Sequence, residues 1–242
     1  MEKRDNLGSI LHHLKSLEFK PKTIIDIGVA YGTPGLYGTF DNVRYHLIEP
    51  LKEYKNVMQK LKEQYPLSFT IAAAGENEGS ISMNVHPDLS GSSILNESEG
   101  KHVDGDQRTV LQTTLDKEVE EHNLKGPFLI KIDVQGFELE VLKGANSLLV
   151  DTEVIVLEVS LFQFYKNSPT FVETINFMND RGFSVYDIFS GIYRPLDNAL
   201  GQVDIVFVKT NGYFRKTHHY ASSEQRERIT KDRVENLNFK KC

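Results

Sequence analysis

The stretch Thr23-Ile24-Ile25-Asp26-Ile27-Gly28-Val29-Ala30-Tyr31-Gly32-Thr33-Pro34-Gly35 decides the architecture of this 242-residue chain. It opens as a short β-branched apolar run and then breaks into glycines. A buried parallel strand that ends in a tight loop reads this way. Glycine is needed because a Cβ would block the positive φ of the turn or the approach of a ligand to the backbone. The next apolar run, Tyr45-His46-Leu47-Ile48, ends in Glu49. A carboxylate there can accept hydrogen bonds from two ribose hydroxyls. Together these features point to a nucleoside-bearing cofactor at the C-terminal edge of a parallel sheet.

The loop also says which cofactor. The dinucleotide fingerprint is G-x-G-x-x-G, whereas this loop reads Asp26-x-Gly28-x-x-x-Gly32 with Ala30 where the phosphate-approach glycine would stand. Asp26 would repel a pyrophosphate and welcome a cationic amino-acid group. S-adenosylmethionine has a sulfonium, an ammonium and a ribose but no phosphate, so it fits the charge pattern better than a nicotinamide dinucleotide. Taken alone, the loop is also compatible with a plain strand-turn-helix corner.

Composition narrows the class. Hydrophobic residues at 39% and charged residues at 26% give one globular domain with a sizeable core. The single cysteine is Cys242, which excludes a disulfide framework or a cysteine metal site. No apolar run approaches a membrane span, since residues 154–162 are interrupted by Glu158. Met1-Glu2-Lys3-Arg4-Asp5-Asn6 lacks an apolar signal region, and a cytoplasmic protein is expected. From Asn211 onward eight basic and four acidic residues give the tail +4, leaving −10 of the net −6 on the rest. An acidic body argues against a nucleic-acid partner.

Periodicity then orders the chain. Residues 9–19 read as a helix, 45–48 as the second strand, 51–64 as an amphipathic helix and 67–73 as a third strand. Residues 79–85 suggest a short edge strand, 87–107 a long polar loop, and 109–113 a further strand. Thr114 caps a helix to about His122. Residues 128–134 form a buried strand, 137–142 a helix closed by Lys143-Gly144, 154–159 a strand and 170–181 a helix. Residues 183–188 and 203–209 are the last strands. The fold class is therefore α/β: a Rossmann-like, doubly wound, mostly parallel sheet ending in an antiparallel hairpin strand. The expected division is an N-terminal helical segment (1–22), the main domain (23–210) and a basic tail (211–242). The tail reads as a solvated or subunit-packing helix, the latter implying a homo-oligomer, or as a surface for an anionic carrier.

Ligands of such sheets lie outside the carboxyl ends of the strands. The residues there are Asp26, Gly28, Gly32, Glu49, Ala73, Asp133 and Glu158. Lys131 and Asp133 share a face, so a buried Lys131 can partner Asp133. Small residues at Ala72-Ala73 leave room for a flat ring or relieve crowding under a helix.

The blocks Asp26–Gly32, Ile48-Glu49-Pro50, Ala72–Gly75, Thr114-Leu115-Asp116, Lys131-Ile-Asp-Val-Gln-Gly-Phe-Glu138, Leu142-Lys-Gly-Ala145 and Leu157-Glu158-Val159 resemble the FkbM-type methyltransferases over roughly residues 23–160. Ser92-Ser93 resembles a serine pair of that family, and Gln135 departs from it where Glu is frequent. The resemblance implies a class I fold, S-adenosylmethionine as cofactor, and O-methylation of sugars or secondary metabolites. It implies that Gly28, Ala30 and Gly32 face the methionine part, that Glu49 and Pro50 meet the ribose, and that Ala72 and Ala73 border adenine. Asp133 would lie between cofactor and acceptor.

Asp133 and Glu158 are the candidate catalytic carboxylates. Asp133 is the first choice as base or acceptor orienter, with His86 and His102 as alternatives. Asp133 and Glu158 could instead hold Mg²⁺, or serve only to support the cofactor loop. The expected partner is a small-molecule or glycan acceptor. The rivals are a nicotinamide-dependent oxidoreductase or epimerase, opposed by the missing glycine and the lack of a Tyr-x-x-x-Lys pair, and a non-catalytic cofactor-binding scaffold.

Overall fold

The structure is a computed structural model that describes residues 3–239. The chain enters through α1 (Leu7–Ser16), whose start is fixed by Asn6 accepting from the Ser9 amide while Ser9 reaches back to the Asn6 amide. Next come β1 (Thr23–Ile27) and β2 (Arg44–Ile48), then a 3₁₀ turn (Lys52–Tyr54) leading into α2 (Lys55–Lys62). β3 (Leu67–Thr70), β4 (Ala73–Ala74) and β5 (Gly79–Val85) follow, then α3 (Lys101–Asp104), β6 (Asp106–Thr113) and α4 (Leu115–Glu121). β7 (Phe128–Ile132), α5 (Glu138–Lys143), β8 (Thr152–Ser160) and α6 (Phe171–Asp180) continue the alternation. β9 (Phe183–Tyr193) and β10 (Leu200–Lys209) form the closing hairpin, and α7 (Ser223–Phe239) ends the described chain.

Seven strands make one sheet in the order β3-β2-β1-β7-β8-β10-β9. The first five run parallel, and β10 inserts antiparallel to both β8 and β9. This is the doubly wound α/β sheet with an antiparallel hairpin that the sequence implies. Its β-branched strands are buried on both faces, as central parallel strands must be. One face (Ile25, Ile130, Leu157, Phe207) packs beneath α4, α5 and α6. The other (Ile24, Leu47, Val156, Val206) packs against α1 and α2 through Ile10, Leu11, Leu14 and Met58. Each such side chain removed from water stabilises the fold by roughly 1.5–3 kcal/mol before chain entropy is counted.

Two expectations are corrected. The strand read over 67–73 is two strands in two sheets. β3 ends at Thr70 because its partner β2 ends at Ile48, just ahead of Glu49-Pro50, and Ala73–Ala74 pairs with β6 instead. The polar segment 87–107 is not one structureless loop. It contains α3, pairs Ser93 with Asn84, and gives Asp106 and Gln107 to β6, which runs antiparallel to β5. No helix among the described residues is long and apolar enough to cross a membrane.

The fold positions a cleft where the strand ends converge. The Gly28 amide donates to the Ile48 carbonyl at 3.0 Å, and the Asp133 amide to the Ile27 carbonyl at 3.1 Å, joining the ends of β1, β2 and β7. Gly28 has φ +78°, and a Cβ built on it would lie 1.8 Å from the Asp133 carbonyl oxygen. Only glycine permits that contact. Gly28→Ala is therefore expected to destabilise the protein by about 2 kcal/mol or more, seen as a melting temperature lower by roughly 5 °C. An unshifted melting curve would show that the contact relaxes freely.

Candidate cofactor and active site

Asp26 does not line the cleft. It is wholly buried behind the glycine loop, where its Oδ2 accepts from Thr33 Oγ1 at 2.8 Å and from the Tyr37 hydroxyl. Lys131 Nζ lies 3.7 Å from its other oxygen. Burial pushes the Asp26 carboxyl up, while Lys131, Tyr37 and Thr33 pull it down. The sequence implies that this carboxylate meets a ligand; the structure makes it the brace of the loop, because Asp26 is still paired with Lys131 inside β1, below the strand end, and is covered by Thr33 and Tyr37. Thr33 and Tyr37 were not singled out, although two hydroxyl residues just past a glycine loop are a usable sign of such bracing.

Two cavities flank the contact between Gly28 and Asp133. Gly28, Ala30 and Asp133 line both. The first has a volume of about 220 Å³ and is walled by Glu49, Pro50, Tyr54, Ala73, Ala74 and Phe137. Ala72, expected beside the ring, is buried and does not line this cavity, whereas Ala74 does. Glu49 Oε2 accepts from the Ala30 amide at 3.0 Å and Oε1 from the Leu51 amide at 2.9 Å. Burial pushes its carboxyl up, and these amides hold it down. Each oxygen keeps a second lone pair, the pattern a cis-diol can meet. The buried Tyr54 hydroxyl has no hydrogen-bond partner among the described residues. Leu89, Ser90, Ser92 and Ile94, from the segment read as a long polar loop, cover this cavity.

The second cavity, about 400 Å³, is lined by Gly32, Lys131, Glu158, Phe189 and Asp204 along with the shared residues. Strand register puts Asp204 opposite Glu158, and Glu158 and Asp133 each lie two residues beyond the paired positions Val156 and Lys131. Three carboxyl groups therefore stand in a row on one face. Asp204 was missed; its signal is a lone charge within the apolar run Val203–Val208.

Amide and ammonium donors meet this row. Lys131 Nζ is 3.4 Å from Asp133 Oδ2. Gln135 Nε2 donates to Asp133 at 2.9 Å and to Glu158 at 3.4 Å, and Gln202 Nε2 donates to Glu158 at 2.7 Å. Tyr165 donates to Gln135 Oε1 at 3.1 Å, which turns the amide nitrogen toward the carboxyls. A Glu at position 135 would add a further negative charge to them. Burial, then the neighbouring Asp133, Glu138 and Asp204, push Glu158 up to about 9. Burial also pushes Asp204 up to about 6, against a hydrogen bond from Ser190. The Gln135 amide nitrogen stands between Asp133 and Glu158 and donates to both, a donor in the place where an Mg²⁺ shared by the two carboxylates would sit. Glu138 ties down the turn after β7, accepting from the Val134 and Gly136 amides at 3.1 Å each. His86 pairs with Asp88 at 2.8 Å and lines neither cavity, nor does His102 on α3.

The family model for the methyltransferase FkbM domain matches residues 26–185. The chain belongs to the FkbM methyltransferase family. It is an S-adenosylmethionine-dependent methyltransferase, which removes the nicotinamide-dependent alternative. No curated protein matches it. Among solved structures, it is similar to N-methyltransferase NodS from Bradyrhizobium japonicum, at 10% identity and TM-score 0.46, covering 84% of this chain and 93% of that one. It is also similar to 1,6-didemethyltoxoflavin-N1-methyltransferase from Burkholderia thailandensis, at 11% identity and TM-score 0.44, covering 84% and 76%. Precorrin-6y C5,15-methyltransferase from Geobacter metallireducens aligns at 11% identity and TM-score 0.43, covering 84% and 87%.

The raised Glu158 carboxyl has a stability consequence. Between its ordinary value of 4.5 and about 9, the folded protein keeps a proton that the unfolded chain has lost. Stability is therefore lost as pH rises through that window. Glu158→Gln carries no such proton, so the melting temperature of the variant minus that of the wild type should grow by about 3 °C or more from acid to alkaline pH within the window. A difference that stays constant would mean Glu158 ionises normally.

Proposed function

We propose that this methyltransferase alkylates a hydroxyl group of a neutral sugar, glycan or small secondary metabolite. The supporting observation is the row Asp133, Glu158 and Asp204, placed across the Gly28–Asp133 contact from the cavity that Glu49 lines. Adenosine would occupy the first cavity, with Glu49 on the ribose, Ala73, Ala74 and Phe137 against adenine, and the Tyr54 hydroxyl donating to the nucleoside. The methionine part would pass over Gly28, Ala30 and Gly32, and the acceptor would enter the second cavity.

The cleft fits that cofactor in its free lone pairs on Glu49, its unpartnered Tyr54 hydroxyl, and the cradle at Gly28 that a Cβ would fill. When bound, S-adenosylmethionine supplies an electrophilic methyl on a sulfonium that leaves without further activation. The protein's part is alignment and proton removal. Asp133 lies at the junction of the cavities, held by Lys131 and Gln135, and receives the acceptor proton as its oxygen forms the new C–O bond. Glu158, protonated, donates to a neighbouring acceptor oxygen and fixes its orientation. A phosphorylated acceptor would face several carboxyl groups with one ammonium, which favours neutral polyols.

The test is incubation with methyl-¹³C-labelled cofactor and a panel of neutral glycosides, amino sugars and sugar phosphates, read by NMR. An O-methyl product from a neutral acceptor is expected. An N-methyl product, or preference for phosphates, overturns the acceptor reading, and cofactor binding without transfer across the panel favours a scaffold. Asp133→Asn should reduce turnover about 100-fold or more with S-adenosylhomocysteine affinity within about threefold. Tyr54→Phe should weaken S-adenosylhomocysteine binding by about 3- to 10-fold, read by calorimetry, as the loss of one hydrogen bond. Unchanged affinity would remove Tyr54 from the nucleoside site.

A further inference from the structure

Away from the cleft, three side chains with metal-ligand chemistry meet. His46 on β2 is wholly buried beside Ile25 and Ser68 of the flanking strands. Glu118 on α4 is 2% exposed, and His122 follows one turn later at the helix end. His46 Nε2 lies 2.9 Å from Glu118 Oε2, and His122 Nε2 lies 3.4 Å from the same oxygen. One ligand atom from each residue falls within 4.8 Å of the others, and the two imidazole centroids are 4.4 Å apart. Thr70 Oγ1 stands 2.6 Å from Glu118 Oε2 and 3.3 Å from His122 Nε2. None of these residues lines either cavity.

We propose that His46, Glu118 and His122 form a binding site for one divalent transition-metal ion of the zinc class, with Thr70 or a water molecule as fourth donor. The proposal concerns a separate place in the fold and does not rest on the acceptor reading above.

Four features carry it. The donors are two imidazoles and a carboxylate, the set that Zn²⁺ and its neighbours prefer. Zinc bonds of about 2.0–2.1 Å set the donors of a tetrahedron roughly 3.3 Å apart, close to the spacings of Glu118 from both histidines. Among the described residues only these two histidines lie within ion-pair distance of Glu118, so this buried carboxylate has no Lys or Arg as counter-charge. Finally, His46 Nδ1 lies 2.9 Å from Ser68 Oγ. With its proton on Nδ1 and Ser68 accepting, His46 presents the Nε2 lone pair inward, which is the usual outer support of a metal-bound histidine. Binding thus needs only a tautomer shift in the ring and rotation of the Ser68 hydroxyl. His122 is partly exposed and provides the entry path. An ion there would fasten α4 to β2 and β3, a cross-link between elements far apart in sequence.

The alternative is that the same groups form a hydrogen-bonded cluster without an ion, with Thr113 also donating to Glu118 at 2.7 Å. The experiment uses untagged full-length protein freed of metal by chelator, titrated calorimetrically with ZnCl₂ and followed by melting temperature. One equivalent should bind, and zinc should raise the melting temperature reversibly with chelator. His122→Ala, at the accessible end of the site, should weaken zinc binding about tenfold or more and abolish the thermal shift, while its S-adenosylhomocysteine affinity reports that the fold is intact. A variant lacking the exposed His218 and His219 should bind zinc like the wild type. No stoichiometric binding, or equal binding in His122→Ala, overturns the proposal. Loss of binding in the His218/His219 variant alone places the ion on the tail and overturns it too.

Discussion

One buried ammonium organises the cleft. Lys131 Nζ is shared between Asp26 at 3.7 Å, Asp133 at 3.4 Å and the Gly28 carbonyl at 3.3 Å. Burial works against its charge, yet the Asp133 and Asp26 carboxylates raise its pKa overall. Without it, carboxyl groups from β1 and from the end of β7 would face each other in a low-dielectric setting with nothing between them. The ammonium therefore joins the glycine loop, through Asp26 and Gly28, to the turn that carries Asp133. The absent side chain at Gly28 then lets the two segments touch.

That contact divides the cleft into chemically different halves. On one side a single carboxylate, Glu49, is tied by backbone amides and keeps lone pairs for hydroxyl donors. On the other, Asp133, Glu158 and Asp204 stand together, the first two held by glutamine amides. Gln135 bridges two of these carboxyls while Tyr165 fixes its orientation. Its amide adds no negative charge to this half and keeps Glu158 in the company of donors.

The parts of this arrangement legible in the sequence are local or periodic. The strand and glycines around Gly28, the acid at Glu49, and the shared face of Lys131 and Asp133 follow from spacing within a few residues. The alternation of strands and helices sets the sheet and the edge where ligands bind. What was not legible depends on register between distant strands. Asp204 reaches Glu158 only because β10 inserts beside β8, and Tyr54 enters the first cavity only because the chain turns through a 3₁₀ segment before α2. The break of β3 at Thr70 reflects the end of its partner, not a signal in residues 67–73 themselves. Asp26 shows the opposite case: its place on β1 is clear from the sequence, but the hydroxyls of Thr33 and Tyr37 fold over it and give it a bracing role. The cluster of His46, Glu118 and His122 combines β2 with α4 and has no sequence signature beyond the i, i+4 pair on the helix.

The most direct measurement is calorimetric titration of S-adenosylhomocysteine into the wild-type protein and into Glu49→Gln. One micromolar site is expected in the wild type, and an affinity at least about tenfold lower in the variant. The amide keeps only one accepting oxygen and turns a donor toward a backbone N–H. Equal affinity in the two proteins, or no binding to the wild type, would contradict the placement of the cofactor across the Gly28–Asp133 contact.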